Sequence, residues 1–375
     1  MIKNNQAIKF CKKCVTPDSR PRVVFDSDGV CNACNFVSVK KNTDWKKREK
    51  ELVEILDELR SSDGSYDCIV PWSGGKDSSY VAYVLKFKYK MNPLLVTFSP
   101  LIMNEVGEHN RQKLIELGFD NLMIRPNQNI SQYLSKRFFT ERGNPKTHWD
   151  AGVTCFPVQI ALKYNIKAIF YAEDSESEYG GRVLNKDSIK LMQYDAIIEQ
   201  HIEDHPSNWV NDKVSQNDIQ PYLYPDIEDI KKKKIKSYYF SYFFRFDMYK
   251  NYLAIKDLID FKIVKRTSGT FTNFDSLDDK IDDLYYYMQF IKFGFGRCSR
   301  DCSRFIQNGH LSRKKAVEHV KNYDGEFPKK NLAEVLEFLH LKKSEFLDII
   351  DKHRNEEIWY KNNKKKWQLY STVYK

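Results

Sequence analysis

The spacing of apolar residues along the chain predicts an alternation of helices and strands. Apolar side chains between residues 45 and 60 recur at i, i+3, i+4 and i+7, which predicts an amphipathic helix; they are Leu52, Ile55, Leu56 and Leu59. Short, continuous apolar runs bounded by turn residues predict buried strands instead. Such runs follow the helix at residues 66–70, 94–98, 121–124 and 168–172.

Helical periodicity returns in the stretches between these runs. It predicts helices at residues 105–117, 130–139 and 153–164. Strands that alternate with helices of this length form a parallel sheet with helices on both faces. Connections in such sheets are right-handed, and ligands bind at the carboxyl ends of the strands. We therefore expect an α/β fold whose functional site lies at that edge.

The pattern changes after about residue 200. Residues 237–253 are densely aromatic, residues 280–293 are predicted to be helical, and helical spacing recurs between residues 332 and 339. These features predict a mostly helical C-terminal region. A chain of 375 residues is long enough for about two domains. The expected division is a small N-terminal module, the α/β domain and the helical region that completes the substrate site, at residues 1–44, 45–200 and 201–375.

Composition and charge exclude some classes of protein. A hydrophobic content of 41% suffices for a packed core. No run approaches the roughly 18 apolar residues of a membrane span, and the first ten residues lack the apolar stretch of a secretory signal; we expect a cytoplasmic protein. The net charge is +10, but the lysine runs at 231–234 and 364–366 lack interleaved aromatic residues. This favours solvated lysines over a nucleic-acid surface.

Two Cys-x-x-Cys pairs near the N-terminus predict a metal site. Sixteen residues separate the pairs, a spacing typical of a four-cysteine zinc ribbon; the cysteines are Cys11, Cys14, Cys31 and Cys34. A closed site of four thiolates leaves no open coordination position, so zinc there stabilises the fold and does not catalyse. An iron–sulfur cluster is the alternative ligand.

A Gly-rich turn, 71-PWSGGKDSSY-80, joins the first predicted strand to a helix. Neither the Walker A pattern nor G-x-G-x-x-G is present. Glycines still allow close approach of the backbone to phosphates, and the start of the following helix offers free N–H groups. Lys76 adds a positive charge. The residues predicted to bind the phosphates of ATP are Ser73, Gly74, Gly75, Lys76, Asp77, Ser78 and Ser79.

The turn resembles the signature of the PP-loop ATP pyrophosphatases, S-G-G-x-D-S, which residues 73–78 match at every position. The resemblance implies an adenine-nucleotide α-hydrolase (HUP-like) fold and a requirement for Mg²⁺. It also implies that a substrate carbonyl oxygen attacks the α-phosphorus, that pyrophosphate leaves, and that a nitrogen or sulfur nucleophile then displaces AMP. Ser73, Lys76 and Asp77 are the expected catalytic residues.

Over nearly its full length the chain is similar to the bacterial N-acetyl sugar amidotransferases. The similar segments are 11–21, 31–34, 70–79, 173–181, 293–313 and 323–328. The resemblance implies that an acetamido group becomes an acetamidino group, on a free or nucleotide-linked sugar of the pseudaminic-acid type. Such sugars belong to lipopolysaccharide biosynthesis and flagellin glycosylation. The chain lacks a G-x-C-x-G nucleophile turn, so ammonia is expected from a separate glutaminase or from solution.

A PP-loop enzyme that thiolates tRNA is the alternative. It is favoured by the basic charge, by the N-terminal cysteines and by three further cysteines, Cys155, Cys298 and Cys302. Sulfur transfer needs a reactive thiol or a bound cluster near the adenylate. Against it, no Cys-x-x-Cys pair follows the loop, and Cys68 falls inside a predicted strand, where we expect it to be buried.

Two further groups of residues are candidates for binding the substrate or magnesium. The acidic, Gly-rich segment after the fourth predicted strand contains Glu173, Glu178, Gly180 and Gly181; a solvated loop is the alternative. In the C-terminal region, arginine forks would match a carboxylate or phosphate, although surface arginines on a helix are common. These residues are Lys292, Arg297, Arg300 and Arg304. The lone histidines His109 and His148 are expected to be structural. The oligomeric state is open.

Overall fold

The computed structural model describes residues 7–183, 187–193, 197 and 204–374 of the chain. A five-stranded parallel sheet forms the centre of the described part. Its strands are β1 (Cys68–Pro71), β2 (Pro93–Phe98), β3 (Asn121–Ile124), β4 (Ala168–Tyr171) and β5 (Lys236–Tyr239).

The strand order is β3-β2-β1-β4-β5, with β1 in the middle. The chain moves outward from β1 through β2 to β3, and then crosses back to β4 on the other side of β1. In register, Val70 lies opposite Leu95 and Ile69 opposite Ile169. The order therefore reverses between β1 and β4, and a crevice opens outside the carboxyl ends of these two strands, where ligands bind in open α/β sheets.

Helices cover both faces of this sheet, as the alternation predicts. Successive side chains of a strand point to opposite faces, so Ile69 belongs to one core cluster while Cys68 and Val70 belong to the other. The helices up to β4 are α1 (Asn32–Lys41), α2 (Trp45–Leu59), α3 (Lys76–Tyr83), α4 (Glu105–Ile115), α5 (Gln128–Arg142) and α6 (Thr147–Tyr164).

The predicted helices and the first four strands are present, with boundaries that differ by a few residues. Helix α2 begins where predicted because Asp44 accepts a hydrogen bond from the backbone N–H of Lys47 and so caps it. Helix α6 begins six residues before the predicted 153, at Thr147. Its first turns are almost entirely buried, so they show no amphipathic period that could have marked them.

Strand β5 was not predicted. It lies in the aromatic stretch that was assigned to the helical region, and it pairs with β4 through Phe170 and Tyr238, whose rings stack at 5.3 Å. The strand passes directly into a short helix at Phe240, so no turn residue marks its end. The sheet thus extends beyond residue 200, while the division of the chain into domains stays a prediction.

The C-terminal region is mostly helical, as predicted. Its main core packs α5 against three later helices through Phe139, Leu284, Val335 and Phe346. A two-stranded antiparallel hairpin lies near its end, formed by β6 (Trp359–Lys361) and β7 (Trp367–Leu369). The helices after β4 are α7 (Ser175–Tyr179), α8 (Ile227–Lys232), α9 (Phe240–Phe243), α10 (Met248–Ile255), α11 (Asp282–Phe293), α12 (Arg297–Gln307), α13 (Arg313–Tyr323), α14 (Leu332–Phe338) and α15 (Lys343–Lys352).

The predicted fold class is confirmed in these terms: a parallel sheet covered by helices, preceded by a four-cysteine module and followed by a mostly helical region. Among the described residues, no helix is both long enough and apolar enough to cross a membrane.

Candidate functional site

The Gly-rich turn forms a tight loop between β1 and α3, which we call the phosphate loop (residues 73–79). Gly74 has φ +95°, a left-handed conformation that favours glycine. A Cβ atom there would lie 2.4 Å from Cγ of Arg111, so only glycine fits. Gly75 precedes the first residue of α3, and its N–H donates to the Ser73 hydroxyl at 3.2 Å. The loop therefore brings its backbone and the start of α3 to the sheet edge.

A cavity of about 420 Å³ opens at this edge, between the carboxyl ends of β1 and β4; we call it the loop cavity. Its size is in the range of small-molecule and cofactor sites. Of the predicted ATP-binding residues, 73–78 all line it. Ser79 does not. It is fully buried, and its hydroxyl accepts a 2.8 Å hydrogen bond from the indole N–H of Trp72, so it holds the strand end in place.

Lys76 lies buried in the floor of the loop cavity, between two carboxylates. Its Nζ is 2.8 Å from Asp77 and 2.5 Å from Asp275. Burial alone would lower the pKa of Lys76, but the two carboxylates raise it above its ordinary value. The ammonium group is therefore charged at all physiological pH values. Asp77 is oriented further by the side-chain amide of Asn251, which donates to it at 2.8 Å.

Glu173 enters the same cavity from the end of β4. Burial, and after it the nearby charge of Asp77, raise the pKa of Glu173 to about 7. Its Oε1 accepts a 2.7 Å hydrogen bond from the hydroxyl of Tyr179. Asp77 and Glu173 offer carboxylate oxygens, the ligands that Mg²⁺ prefers. A cation beside them would offset the repulsion that raises the pKa of Glu173, so the pair fits a metal ion bound with phosphates.

Sequence reasoning missed several residues of this site. Arg111, on α4, packs behind Gly74 and donates from Nη1 to the carbonyl oxygen of Ser73 at 3.1 Å. Its Nη2 is buried and has no hydrogen-bond partner among the described residues. Asn251 and Asp275 lie 174 and 199 positions beyond the loop residues that they contact. No local motif marks any of the three, because only the tertiary fold brings them to the loop.

Three of the predicted substrate or magnesium residues lie elsewhere. Glu178 forms a 2.6 Å ion pair with Lys40 of α1, and both side chains are buried. Gly180 packs against Asn32 of the same helix. The carbonyl oxygen of Gly181 accepts a hydrogen bond from Asn32 at 2.8 Å. None of them lines the loop cavity; they join α7 and the residues after it to the N-terminal module.

The predicted cations of the C-terminal region are separated in the structure. Lys292 donates to the carbonyl oxygen of Arg142 at 2.8 Å, at the end of α5 and away from the loop cavity. Arg297 is almost completely buried and donates to the carbonyl oxygen of Asp275 at 2.7 Å. The guanidinium of Arg304 lies 3.4 Å from the ring centre of Tyr179. Arg297 and Arg304 therefore reach the cavity indirectly, through Asp275 and Tyr179.

The four N-terminal cysteines converge on one point. Their sulfur atoms all lie within 4.8 Å of one another, and all are buried. The Cys11–Cys34 and Cys14–Cys31 sulfur pairs are 3.9 and 3.6 Å apart. Four thiolates around zinc, with Zn–S bonds of about 2.3 Å, have sulfur atoms roughly 3.8 Å apart. The cluster thus forms a metal-binding site, and its geometry fits a tetrahedral ion.

The cysteine module (residues 7–44) is fixed to the rest of the chain by polar contacts. Thr16 donates to the hydroxyl of Ser303 on α12 at 3.0 Å. Arg313 of α13 donates to the carbonyl oxygen of Cys14 at 3.0 Å. Together with the Lys40–Glu178 ion pair, these contacts place the module beside both α7 and α12.

The remaining cysteines are buried and poorly suited to nucleophilic chemistry. Cys68 is buried as predicted, and burial raises its pKa and that of Cys155. Cys298 and Cys302 lie on α12 with their sulfur atoms 3.8 Å apart. The neighbouring Cys302 and burial raise the pKa of Cys298. None of these four residues lines the loop cavity.

The C-terminal region matches a family of glycan biosynthesis proteins. Residues 268–374 match the family model described as LPS biosynthesis protein WbpG-like, C-terminal domain. The match includes α11 to α15 and the segment that carries Asp275. An uncharacterized protein of Methanocaldococcus jannaschii is 36% identical over 87 residues, which make up 23% of this chain and 31% of that protein.

A solved structure is also similar at low score. The U34-tRNA thiolase NcsA from Methanococcus maripaludis, with its [4Fe-4S] cluster, aligns with 90% of this chain and 100% of its own, at 12% identity and a TM-score of 0.32. A similarity of that size does not bear on function.

Proposed function

We propose that this chain is an ATP-dependent amidotransferase that converts the acetamido group of an N-acetyl sugar, free or nucleotide-linked, into an acetamidino group. The observation that carries the proposal is the loop cavity, where the phosphate loop, Lys76 and two carboxylates meet at the switch point of the sheet. The match of residues 268–374 to a family of LPS biosynthesis proteins supports a sugar substrate. The route is bacterial surface polysaccharide or flagellar glycan synthesis.

The phosphate loop holds the β- and γ-phosphates of ATP. Backbone N–H groups at the start of α3 and the hydroxyls of Ser73 and Ser78 donate to the phosphate oxygens. Lys76 exchanges one of its carboxylate partners for a phosphate oxygen. Asp77 binds Mg²⁺ together with the phosphates. Arg111, directly behind Gly74, adds a second positive charge to the loop.

The reaction takes place in two displacements. The acetamido oxygen attacks the α-phosphorus, the bond to the β-phosphate oxygen breaks, and pyrophosphate leaves with its electron pair. An amide oxygen is a poor leaving group, and its adenylate is a good one. Ammonia then adds to the activated carbon, and the C–O bond to AMP breaks. Glu173, with a pKa of about 7, accepts a proton from the attacking nitrogen as AMP departs.

The product mixture tests this proposal. The protein is incubated with ATP, Mg²⁺, an ammonium salt and a panel of free and nucleotide-linked acetamido sugars, and the mixture is analysed by mass spectrometry. We expect one sugar to lose the small mass difference between oxygen and NH, in step with AMP and pyrophosphate. Lys76→Met removes this activity, while Lys113→Met, a change at a partly exposed residue of α4 that pairs with Glu116, leaves it intact.

The tRNA-thiolating alternative is distinguished in the same assay. It predicts that no sugar changes mass and that bulk tRNA stimulates formation of AMP. Its complex with tRNA would weaken steeply with salt, as phosphate contacts do. That outcome would replace the proposed function.

A further inference from the structure

A second, smaller pocket lies on the other side of Tyr179 from the loop cavity. Its lining comes from the cysteine module, from α7, from α12 and from Phe295 just before α12, and contains the side chains of Arg20, Arg300 and Arg304. We call it the arginine pocket. No carboxylate belongs to this lining, all of which lies within the part of the chain that the structure describes. Three guanidinium groups thus face one space without an acidic partner inside it.

The arginine pocket has donors that nothing in the structure satisfies. The Nε atoms of Arg20 and Arg304 are buried and have no hydrogen-bond partner among the described residues. Buried donors left unpaired cost free energy. Glu176, the carboxylate on the neighbouring turn of α7, is already paired with Arg22 at 2.6 Å.

Like charges make this arrangement unfavourable unless an anion is present. Burial, followed by the charges of Arg304 and Arg300, lowers the pKa of Arg20 to about 10. Arg300 is partly neutralised, because it lies 3.3 Å from Asp275 and donates to the hydroxyl of Tyr286 at 2.7 Å. Arg20 and Arg304 form no ion pair with a described carboxylate within 4.0 Å. Their charge is available to a ligand.

The size of the arginine pocket limits what enters. Its volume is about 20 Å³, room for little more than one water-sized group. It therefore admits only an oxygen or two of a carboxylate or terminal phosphoryl group, and the rest of the ligand stays outside. Guanidinium forks match both of these oxyanions.

The place of the pocket links it to the reaction. Tyr179 forms the wall between the two spaces, since its hydroxyl donates to Glu173 in the loop cavity at 2.7 Å and its ring stacks on Arg304. We propose that the arginine pocket binds the anionic group of the substrate, with Arg20 and Arg304 as its main ligands, on the other side of Tyr179 from Glu173. This inference rests on the proposed function, since it names the part of the sugar that is recognised.

Equilibrium binding without ATP tests the inference. The titrants are N-acetylneuraminate, which carries a carboxylate, N-acetylglucosamine 1-phosphate, which carries a phosphoryl group, and neutral N-acetylglucosamine. We expect at least one anionic sugar to bind at least about tenfold more tightly than the neutral one, since hydrogen bonds to charged groups are of that strength. Which anionic sugar binds distinguishes a carboxylate substrate from a phosphorylated one.

Variants assign the binding to the arginine pocket. Arg20→Met and Arg304→Met each weaken binding of the anionic sugar by about tenfold or more. Neither variant changes the affinity for the neutral sugar. Arg245→Met, a change at an exposed arginine outside the lining, is the matched control. Lys76→Met removes phosphate binding in the loop cavity and leaves the affinity of the arginine pocket for the anionic sugar unchanged. Unfolding temperatures measured without anion check that the variants are folded. If Arg20→Met does not fold, Arg20→Lys replaces it.

Two results overturn the inference: equal affinity in the wild-type protein and both arginine variants, or no binding of any titrant, inorganic phosphate and acetate included, at millimolar concentration. Failure of the proposed reaction is separate. If the arginine variants no longer bind the anionic sugar but the wild-type protein amidinates no sugar, only the proposed function fails. If sugars are amidinated with an unchanged KM in Arg20→Met, only the arginine pocket is wrong.

Discussion

At the scale of single residues, the site depends on where charge is buried. Lys76 lies between Asp77 and Asp275 and keeps its proton, while burial, followed by the charge of Asp77, raises the pKa of Glu173 to about 7. Both behaviours follow from the surroundings and not from residue type. A buried lysine beside two carboxylates stays charged, and a carboxylate that is buried, and also lies near another carboxylate, resists ionisation.

The first prediction concerns Gly74. Gly74→Ala strains a left-handed residue, which costs about 1–2 kcal/mol, and also pushes Arg111 away from the loop. We expect ATP binding and AMP formation to fall by at least an order of magnitude. Gly64→Ala is the matched control, because Gly64 has φ +84° and nothing within 4 Å of the added Cβ. Similar activity in both variants would mean that contact between Gly74 and Arg111 has no role.

The second prediction concerns the pH dependence set by Glu173. The raised pKa means that the folded protein holds a proton there that the unfolded chain loses at lower pH. In the absence of magnesium, stability from this group is full below the ordinary pKa of glutamate and is lost as pH rises through about 7. Glu173→Gln should therefore unfold at a higher temperature than the wild type at pH 8, and at an equal temperature near pH 4.

The same residue predicts a kinetic signature. With magnesium bound, the wild-type rate of amidine formation should rise with pH at or below about 7, as Glu173 loses its proton and becomes able to accept one from the nitrogen. That rise should be absent from the residual activity of Glu173→Gln. An unchanged pH–rate profile in the variant would remove Glu173 from the proton transfer.

At the scale of elements, the two sides of the short helix α7 contact different parts of the protein. Glu176 and Glu178 point to the cysteine module, where they pair with Arg22 and Lys40. Tyr179 points the other way, to Glu173. One and a half turns of helix thus join the module to the loop cavity, and Glu178, which was predicted to bind substrate or magnesium, pairs with Lys40 instead.

The third prediction follows from that division. Glu178→Ala leaves Lys40 buried without its partner, which should lower the free energy of unfolding by about 3–5 kcal/mol. Glu228→Ala removes a partner from an ion pair on the exposed face of α8 and should cost less than about 1 kcal/mol. Denaturant titrations measure both. A loss of activity in folded Glu178→Ala without loss of stability would restore Glu178 as a substrate ligand.

At the scale of the whole molecule, three parts of the chain complete one site. The sheet supplies the phosphate loop and Glu173, the C-terminal region supplies Asp275 and Arg304, and the cysteine module supplies Arg20. The small core cluster of the module is built largely from its four cysteines. We therefore expect its fold to depend on a metal bound by these cysteines.

The fourth prediction concerns that metal. We expect one zinc ion per chain by elemental analysis and a colourless protein. Removing the metal with a chelator should lower the unfolding temperature. It should also weaken binding of the anionic sugar to the arginine pocket, because Arg20 loses its position. ATP binding in the loop cavity should change less. Visible absorbance from an iron–sulfur cluster would contradict zinc, and unchanged stability after removal would contradict a structural role.

The parts of the site that could be predicted are those in which neighbours in sequence are also neighbours in space. The phosphate loop and the cysteine pairs are of this kind, because a phosphate cradle and a metal knuckle are built within a few residues. Arg111, Asn251, Asp275 and Arg20 are not. Their side chains act across packed elements, so no spacing along the chain records their contacts.

The sequence by itself determined the parallel α/β fold, the position of the phosphate loop and the four-cysteine site. The spacing of apolar residues, the residues of a turn and short motifs are all local properties of a chain. Only the tertiary structure decided which charged residues meet. In the structure, Glu178 pairs with Lys40, Lys292 contacts the end of α5, and Arg20 and Arg304 line the same pocket. Burial selects such partners, because a charge taken out of water must find compensation in whatever lies beside it in space.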